Sequence, residues 1–412
     1  MGRRASTMVL AAAAFALCVC AGRLSALEAS GDRHWVATWS AAHVSGLGPP
    51  AHGGFDHRTL RQIVHTSVGG DQVRIRFFAF GPEALHIGAA RVALTADGPA
   101  IQPDSDRPLT FGGLPTIRVP AGAMVVSDPV DLPLPPLSDL AVSVFVPGPS
   151  MPATWHFAAL QTSYVSPSGD FTAAVDMPVE STTGAWFWLA GVDVLVPKPT
   201  GTIVAFGDSV TDGIGSTPND NMRWPDHFAA RIMSVPGNHD MGVVNGGLTG
   251  NRLVHDILGP NGLARFDRDV LTQPGVRHVV VLLGNNDIIF GQLIPADAVT
   301  PEQIIQAHRM LIERARVRGL KIYGATLTPF KGALDNALFP AAEAQRQAVN
   351  AWIRTSGEYD AVIDFDLAVR DQNDPAQLDP LRRADVLHPN DRGYAAMADA
   401  IDLKLFTRED RW

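Results

Sequence analysis

The chain of 412 residues holds two cysteines, Cys18 and Cys20, and both fall in one segment at its start. That segment reads "MGRR", then the apolar "TMVLAAAAFALCVCAG" (residues 7–22), then the small residues of "RLSALEASG". A short positive region, an apolar stretch and small residues predict a secretory signal peptide over residues 1–28. The stretch is too short and wrongly flanked for a stable membrane span, a retained anchor being the alternative. Its removal leaves a mature chain without cysteine, which excludes disulfides, thiolate zinc sites and cysteine nucleophiles. Lipid modification at Cys20 would need a small residue where Val19 is bulky. Export implies a periplasmic or extracellular destination.

Long hydrophobic runs are otherwise missing, so no further span is expected. A Lys/Arg-rich block is also missing, and the formal net charge is -9. A nucleic-acid or anionic-membrane partner is therefore not indicated, and no nucleic acid is expected as a partner. No internal repeat is evident, and the oligomeric state stays open. What is abundant is apolar material, 46% of residues against 18% charged, enough for a substantial core in two domains.

The two halves carry different periods. "QVRIRF" (72–77) alternates, placing Val73, Ile75 and Phe77 on one face and Gln72, Arg74 and Arg76 on the other. "LHIGAARVAL", "PTIRVP" and "LAVSVFVP" are further short strands, separated by Pro- and Gly-rich turns such as "DLPLPPL". Residues 33–198 are expected to form an all-β, jelly-roll-like sandwich. After the linker "VPKPTG" (196–201), the runs "TIVAF", "GVVN", "HVVVLL", "KIYGAT" and "AVIDF" suit strands buried on both faces. Helical patterns separate them. In "TPEQIIQAHRMLIERARVRG", Thr300 can cap, Pro301 fits the first turn and Gln303 completes a capping box. Ile304, Ile305, Leu311, Ile312 and Ala315 recur at helical spacing, and Gly319 suits termination. Residues 199–412 thus read as an α/β domain with a doubly wound parallel sheet.

Such sheets bind ligands beyond the carboxyl ends of their strands. There the chain has "GDSVTDG", "NGGLTGN", "GNNDI" and, near the C-terminus, "DVLHPN". A serine hydroxyl needs a base to remove its proton, and the base needs a third group to orient it. Ser209 follows a strand, while Asp385 and His388 stand three apart in a segment that Pro389 stiffens. The N–H of Ser209, the N–H of Gly250 and the amide of Asn286 can face a developing oxyanion. "GDSVT" is not a G-x-S-x-G elbow, which speaks against the α/β-hydrolase class.

These four strings, in this order, resemble the sequence blocks of the SGNH hydrolases, also called GDSL esterases and lipases. "WVATWSAA" and "RQIVHTSVGGDQVRIRF" resemble the accessory β-domain of their secreted bacterial members. The resemblance implies a three-layer α/β/α flavodoxin-like fold. It also implies Ser209 as nucleophile, Asp385 and His388 as acid and base, and Ser209, Gly250 and Asn286 as the oxyanion hole. No metal or organic cofactor is implied. The expected partner is a small-molecule or carbohydrate ester, with short acyl or acetyl groups favoured because a helical lid is missing. A lipase or thioesterase of the same family, or a carbohydrate-binding protein without catalysis, are the alternatives.

Neighbouring residues have plainer readings. Asp208 is a candidate pocket residue that could touch the site, a bond to the loop backbone being its favoured role, and Thr211 and Asp212 are expected to cap the following helix. Asn245, Asn251 and Arg252 either line the pocket or hold their loop. Trp224 is a further pocket candidate, with core packing as its other role. His308 reads as a helix-face residue. "PGNHD" (236–240) and "DRH" (32–34) resemble parts of a binuclear phosphoesterase signature. A G-H-x-H is missing and the spacing around "GDSVTD" is wrong, so no metal site is expected.

Overall fold

The structure, a computed structural model, describes residues 33–45, 54–150, 154–235 and 241–406. The signal-peptide segment with both cysteines, and the "PGNHD" string, lie outside the described residues. Among the described residues, no helix is long and apolar enough to cross a membrane.

The first half is built of antiparallel sheets. One is formed by Arg33–Ser40, Leu189–Pro197, Gly70–Phe78 and Val130–Leu134 in that order, with Met124–Val126 also on Gly70–Phe78. A six-stranded sheet has Arg58–His65 and Asp139–Val146 at its centre. An apolar core shared by strands of both sheets, including Leu60, Val92, Val142, Val73, Ile75 and Phe77, holds them together. The alternation in "QVRIRF" is realised, with Val73, Ile75 and Phe77 fully buried. The opposite face is covered in part: Arg76 is buried, while Gln72 and Arg74 keep some exposure. Arg74 and Arg76 pair with the buried Asp193, and Arg76 also donates to Gln273 Oε1 at 2.7 Å. Gln273 belongs to the second half.

That half has one parallel sheet, ordered Met241–Gly247, Gly201–Gly207, Val276–Leu282, Lys321–Ala325, Ala361–Ile363. Numbered by position in the chain this is 2-1-3-4-5, an order of doubly wound sheets. Helices Trp224–Ser234 and Asp391–Asp399 pack together, as do Pro301–Val317 and Phe339–Thr355. The capping box of Pro301–Val317 forms as the sequence requires, Thr300 Oγ1 accepting from Gln303 N and Gln303 Oε1 from Thr300 N. Its buried stripe is Ile304, Ala307, His308, Leu311, Ile312 and Ala315. Ile305 is only partly covered. Gly319 follows with φ 69°, as expected of a residue that ends a helix.

"VPKPTG" does not separate the halves. The strand Leu189–Pro197 runs almost directly into Gly201–Gly207, and Arg33–Ser40 packs on Met241–Gly247. Ala37 belongs to the core of the second half. Thr202 Oγ1 bonds Ala37, and Ser67 Oγ accepts from Val243 N at 2.9 Å.

Candidate active site

Gly207 is in register with both Gly247 and Leu282. Three neighbouring strands therefore end at one level, and the next few residues of each form a common rim. The requirement that three loops meet is met by strand register rather than by loop length. Asp208 caps the short helix Ser209–Asp212, its Oδ1 accepting from Val210 N at 3.0 Å. Gly247 packs against the backbone of that turn so closely that a Cβ on it would overlap Asp212.

The fourth segment arrives from the C-terminal side. Ala384 N donates to His388 O at 2.9 Å, closing a tight turn, and Asn390 caps the helix Asp391–Asp399. Asp391 accepts from Thr217 N and Oγ1, and Tyr394 Oη donates to Ile214 O at 2.6 Å. Gly215 lies where a Cβ would press on Pro389 O and Ala384 Cβ. The Ser209 and His388 loops are thus stapled together from several sides.

The result is a continuous hydrogen-bond chain. Ser209 Oγ lies 2.9 Å from His388 Nε2, and His388 Nδ1 lies 2.8 Å from Asp385 Oδ2. Asp385 Oδ1 accepts from the N–H of Leu387 and of His388, each at 2.7 Å. Burial alone would raise the Asp385 carboxyl, but the His388 side chain and these two N–H groups outweigh it and hold it below the usual range. An ionised carboxylate fixes the Nδ1–H tautomer and leaves Nε2 free to accept from Ser209.

Gly250 has φ 72° and faces Leu258, so little beyond hydrogen fits there. Asn286, in the first turn of helix Asn285–Leu293, donates through Nδ2 to Asn251 O at 3.0 Å. An amide nitrogen carries two hydrogens, so that bond orients the group and leaves one donor over.

The remaining candidates have structural partners. Asp208 holds its own helix start, as expected, and burial raises its carboxyl to about 7. Asn251 spends its amide on Pro260 O and Arg265 Nε, and Arg252 is tied to Asp297. Trp224 packs at a tilt against Phe365, with ring centroids 5.2 Å apart. Arg252 and Trp224 are 0% exposed and Asn251 1%, which fits the loop-holding and core-packing readings rather than the pocket-lining one. Asn245 likewise holds its loop, bonding Thr211 O and Gly247 N. His308 is buried against Tyr359 Oη at 2.6 Å.

Thr211 and Asp212 do not cap the helix Trp224–Ser234, whose N-cap is Arg223. Asp212 instead accepts from His156 Nε2 at 2.9 Å and from Thr249 N and Oγ1 at 2.8 and 2.6 Å. His156 lies 56 residues away in the first half. Sequence spacing carries no signal of that pair. Among the described residues, no three of His, Cys, Asp and Glu stand together as a metal-holding group.

A serine, an imidazole and a carboxylate thus stand in one hydrogen-bonded chain at the carboxyl edge of the parallel sheet of an α/β protein. Residues 205–396 match the model of the GDSL-like Lipase/Acylhydrolase family. No curated protein matches the chain. Among solved structures, a member of the lipolytic protein G-D-S-L family from Veillonella parvula DSM 2008 is similar, at 23% identity and TM-score 0.35. It covers 51% of this chain and 100% of its own. Est24, a carbohydrate acetylesterase from Sinorhizobium meliloti, has 15% identity and TM-score 0.40, covering 50% and 99%. The aryl esterase of M. smegmatis has 15% identity and TM-score 0.40, with the same coverage.

Proposed function

We propose that the chain is an exported serine ester hydrolase with a flavodoxin-like catalytic domain over residues 199–412 and a jelly-roll-like sandwich over residues 33–198. Ser209 Oγ attacks the ester carbonyl carbon while His388 Nε2 takes its proton. Asp385 stabilises the imidazolium that forms. The oxyanion is held by the N–H groups of Ser209 and Gly250 and the spare Asn286 amide hydrogen. The first helical N–H groups have no partner within their helix, which favours Ser209 N in this role. Collapse of the tetrahedral species breaks the ester C–O bond, and His388 returns the proton to the leaving alcohol. Water, deprotonated by His388, then splits the acyl-Ser209 ester and releases the acid.

The observation that carries this reading is the unbroken chain from Ser209 through His388 to Asp385, at 2.9 and 2.8 Å. A protein that only bound carbohydrate would have no use for it. Short acyl or acetyl esters, including those on carbohydrates, are the proposed substrates, on the basis of predicted export and the appended sandwich.

Hydrolysis of p-nitrophenyl acetate by the mature chain, beside Ser209→Ala and with or without EDTA, tests the chemistry. Activity is expected to survive EDTA and to vanish in the variant. Activity that survives the substitution but not the chelator would overturn it. A panel of acetylated glycans against p-nitrophenyl esters of rising chain length tests the substrate class. Rates that climb with chain length while acetylated glycans stay untouched would remove the carbohydrate proposal.

A further inference from the structure

The cleft between the halves holds a polar cluster that the reaction above does not use. His156 stands on the short strand Thr154–His156 of the first half and is 2% exposed. Its Nδ1 meets Ala42 O at 2.7 Å and its Nε2 meets Asp212 Oδ1 at 2.9 Å. A carbonyl and a carboxylate can only accept, so both ring nitrogens must carry hydrogen and the ring is an imidazolium. The other Asp212 oxygen takes the N–H and the hydroxyl of Thr249.

These contacts join two working parts of the site. Asp212 is the last residue of the helix that Ser209 begins. Thr249 is the residue before Gly250, in the loop that offers a donor to the oxyanion. Thr249 N and Oγ1 both bind one carboxylate oxygen, which fixes the peptide leading into Gly250 relative to the Ser209 turn. Without the imidazolium, Asp212 would lose its one hydrogen-bonded cation and keep only the charges of Arg223 and Arg265 nearby, with part of its desolvation cost uncompensated.

We infer that His156 is a positioning residue for ester cleavage: through Asp212 it sets the distance between the Ser209 nucleophile and the Gly250 oxyanion donor. The inference rests on the ester-hydrolase reading and gives the first half a part in turnover, beyond bracing or sugar binding. Misplacement by about 1 Å at such a site costs on the order of 10²-fold in rate. The donor matters most to the tetrahedral species, so kcat should fall while KM holds.

The test compares wild type, His156→Ala, His156→Gln, Thr249→Val, Thr249→Ser and Gln273→Leu in the full mature chain. Gln273 bonds Arg76 across the same interface but touches neither Asp212 nor Thr249. Readouts are kcat and KM on p-nitrophenyl acetate, the rate of fluorophosphonate labelling of Ser209, and the urea midpoint. His156→Ala is expected to lower kcat by about 10- to 100-fold with KM within about twofold, labelling slowing in parallel. His156→Gln keeps one donor and should recover part of it. Thr249→Val should lose rate and Thr249→Ser retain it. Gln273→Leu should lower the urea midpoint and leave kcat alone.

A folded His156→Ala with kcat within about twofold of wild type overturns the inference. So does an equal fall in Gln273→Leu, which would make bracing sufficient. If His156→Ala does not fold, the pair at Thr249 decides, and Thr249→Val with wild-type kcat overturns it. A wild-type chain that neither cleaves the ester nor takes the label overturns the ester-hydrolase reading and this inference together. An active wild type with an unimpaired His156→Ala removes this inference alone.

Discussion

Asp208 and Asp385 are two carboxylates near one serine, and their surroundings push them in opposite directions. Asp385 accepts three hydrogen bonds and stays ionised. Asp208 is buried, with one backbone donor at Val210 and with Asp287 nearby, and its carboxyl rises to about 7. A carboxyl whose folded value is raised favours the fold when protonated. Its contribution is complete below the unfolded value of 3.8 and is lost as pH rises through about 7. Asp208→Asn keeps an oxygen for Val210 N and cannot ionise. It should therefore be close to wild type in urea midpoint near pH 4. At pH 8 it should be more stable by roughly 2–4 kcal/mol. A difference that shrinks with rising pH would show that Asp208 is not the buried acid described. The sequence placed Asp208 correctly as a backbone partner, because an acidic residue just before a helix start has that local use. Its raised acidity constant depends on what covers it, which no local pattern encodes.

At the scale of elements, the capping box at Thr300 and Gln303 was legible because both partners lie within one turn. The four site strings were legible for a related reason. Each directly follows a strand or opens a helix, and the 2-1-3-4-5 sheet brings strand ends together whatever the loops contain. The roles of Thr211 and Asp212 were not legible. Both residue types cap helices, and only the remote His156 and the neighbouring loop residue Thr249 turn Asp212 to another use. Two glycines separate local from tertiary requirements. Gly319 has φ 69° with nothing within 4 Å of a Cβ, so Gly319→Ala should cost only the left-handed strain, about 1–2 kcal/mol, with kcat unchanged. Gly247 has no such dihedral, yet its Cβ would overlap the Asp212 backbone under the nucleophile turn. Gly247→Ala should lower kcat by on the order of 10²-fold. Esterase rates and thermal midpoints of the two variants check this, and a wild-type kcat for Gly247→Ala would contradict the close packing of that turn.

For the whole molecule, the change of period near residue 198 marked two architectures, but it did not reveal how closely they are joined. Period-two alternation shows that a strand has two faces and leaves open what covers the second. Arg76, on the polar face of "QVRIRF", is buried and donates to Gln273 of the second half. The same interface gives Ala37 to the second core and supplies Ser67 to Val243 N, Ala159 O to Arg223 and His156 to Asp212. Parting the halves would leave Asp212, Arg223 and Arg76 without these partners while exposing apolar surface, and each such loss is costly. The two halves should therefore unfold as one cooperative unit despite their different folds. In urea, tryptophan fluorescence reports on both halves, since Trp39 and Trp186 lie in the first core and Trp224 in the second. Far-UV circular dichroism weighs the helices of the second half, and esterase activity reports the site. The three transitions are expected to coincide. A fluorescence change that precedes the loss of helix signal and activity would mean that the first half opens alone, and the interface would then be weaker than its buried polar contacts imply.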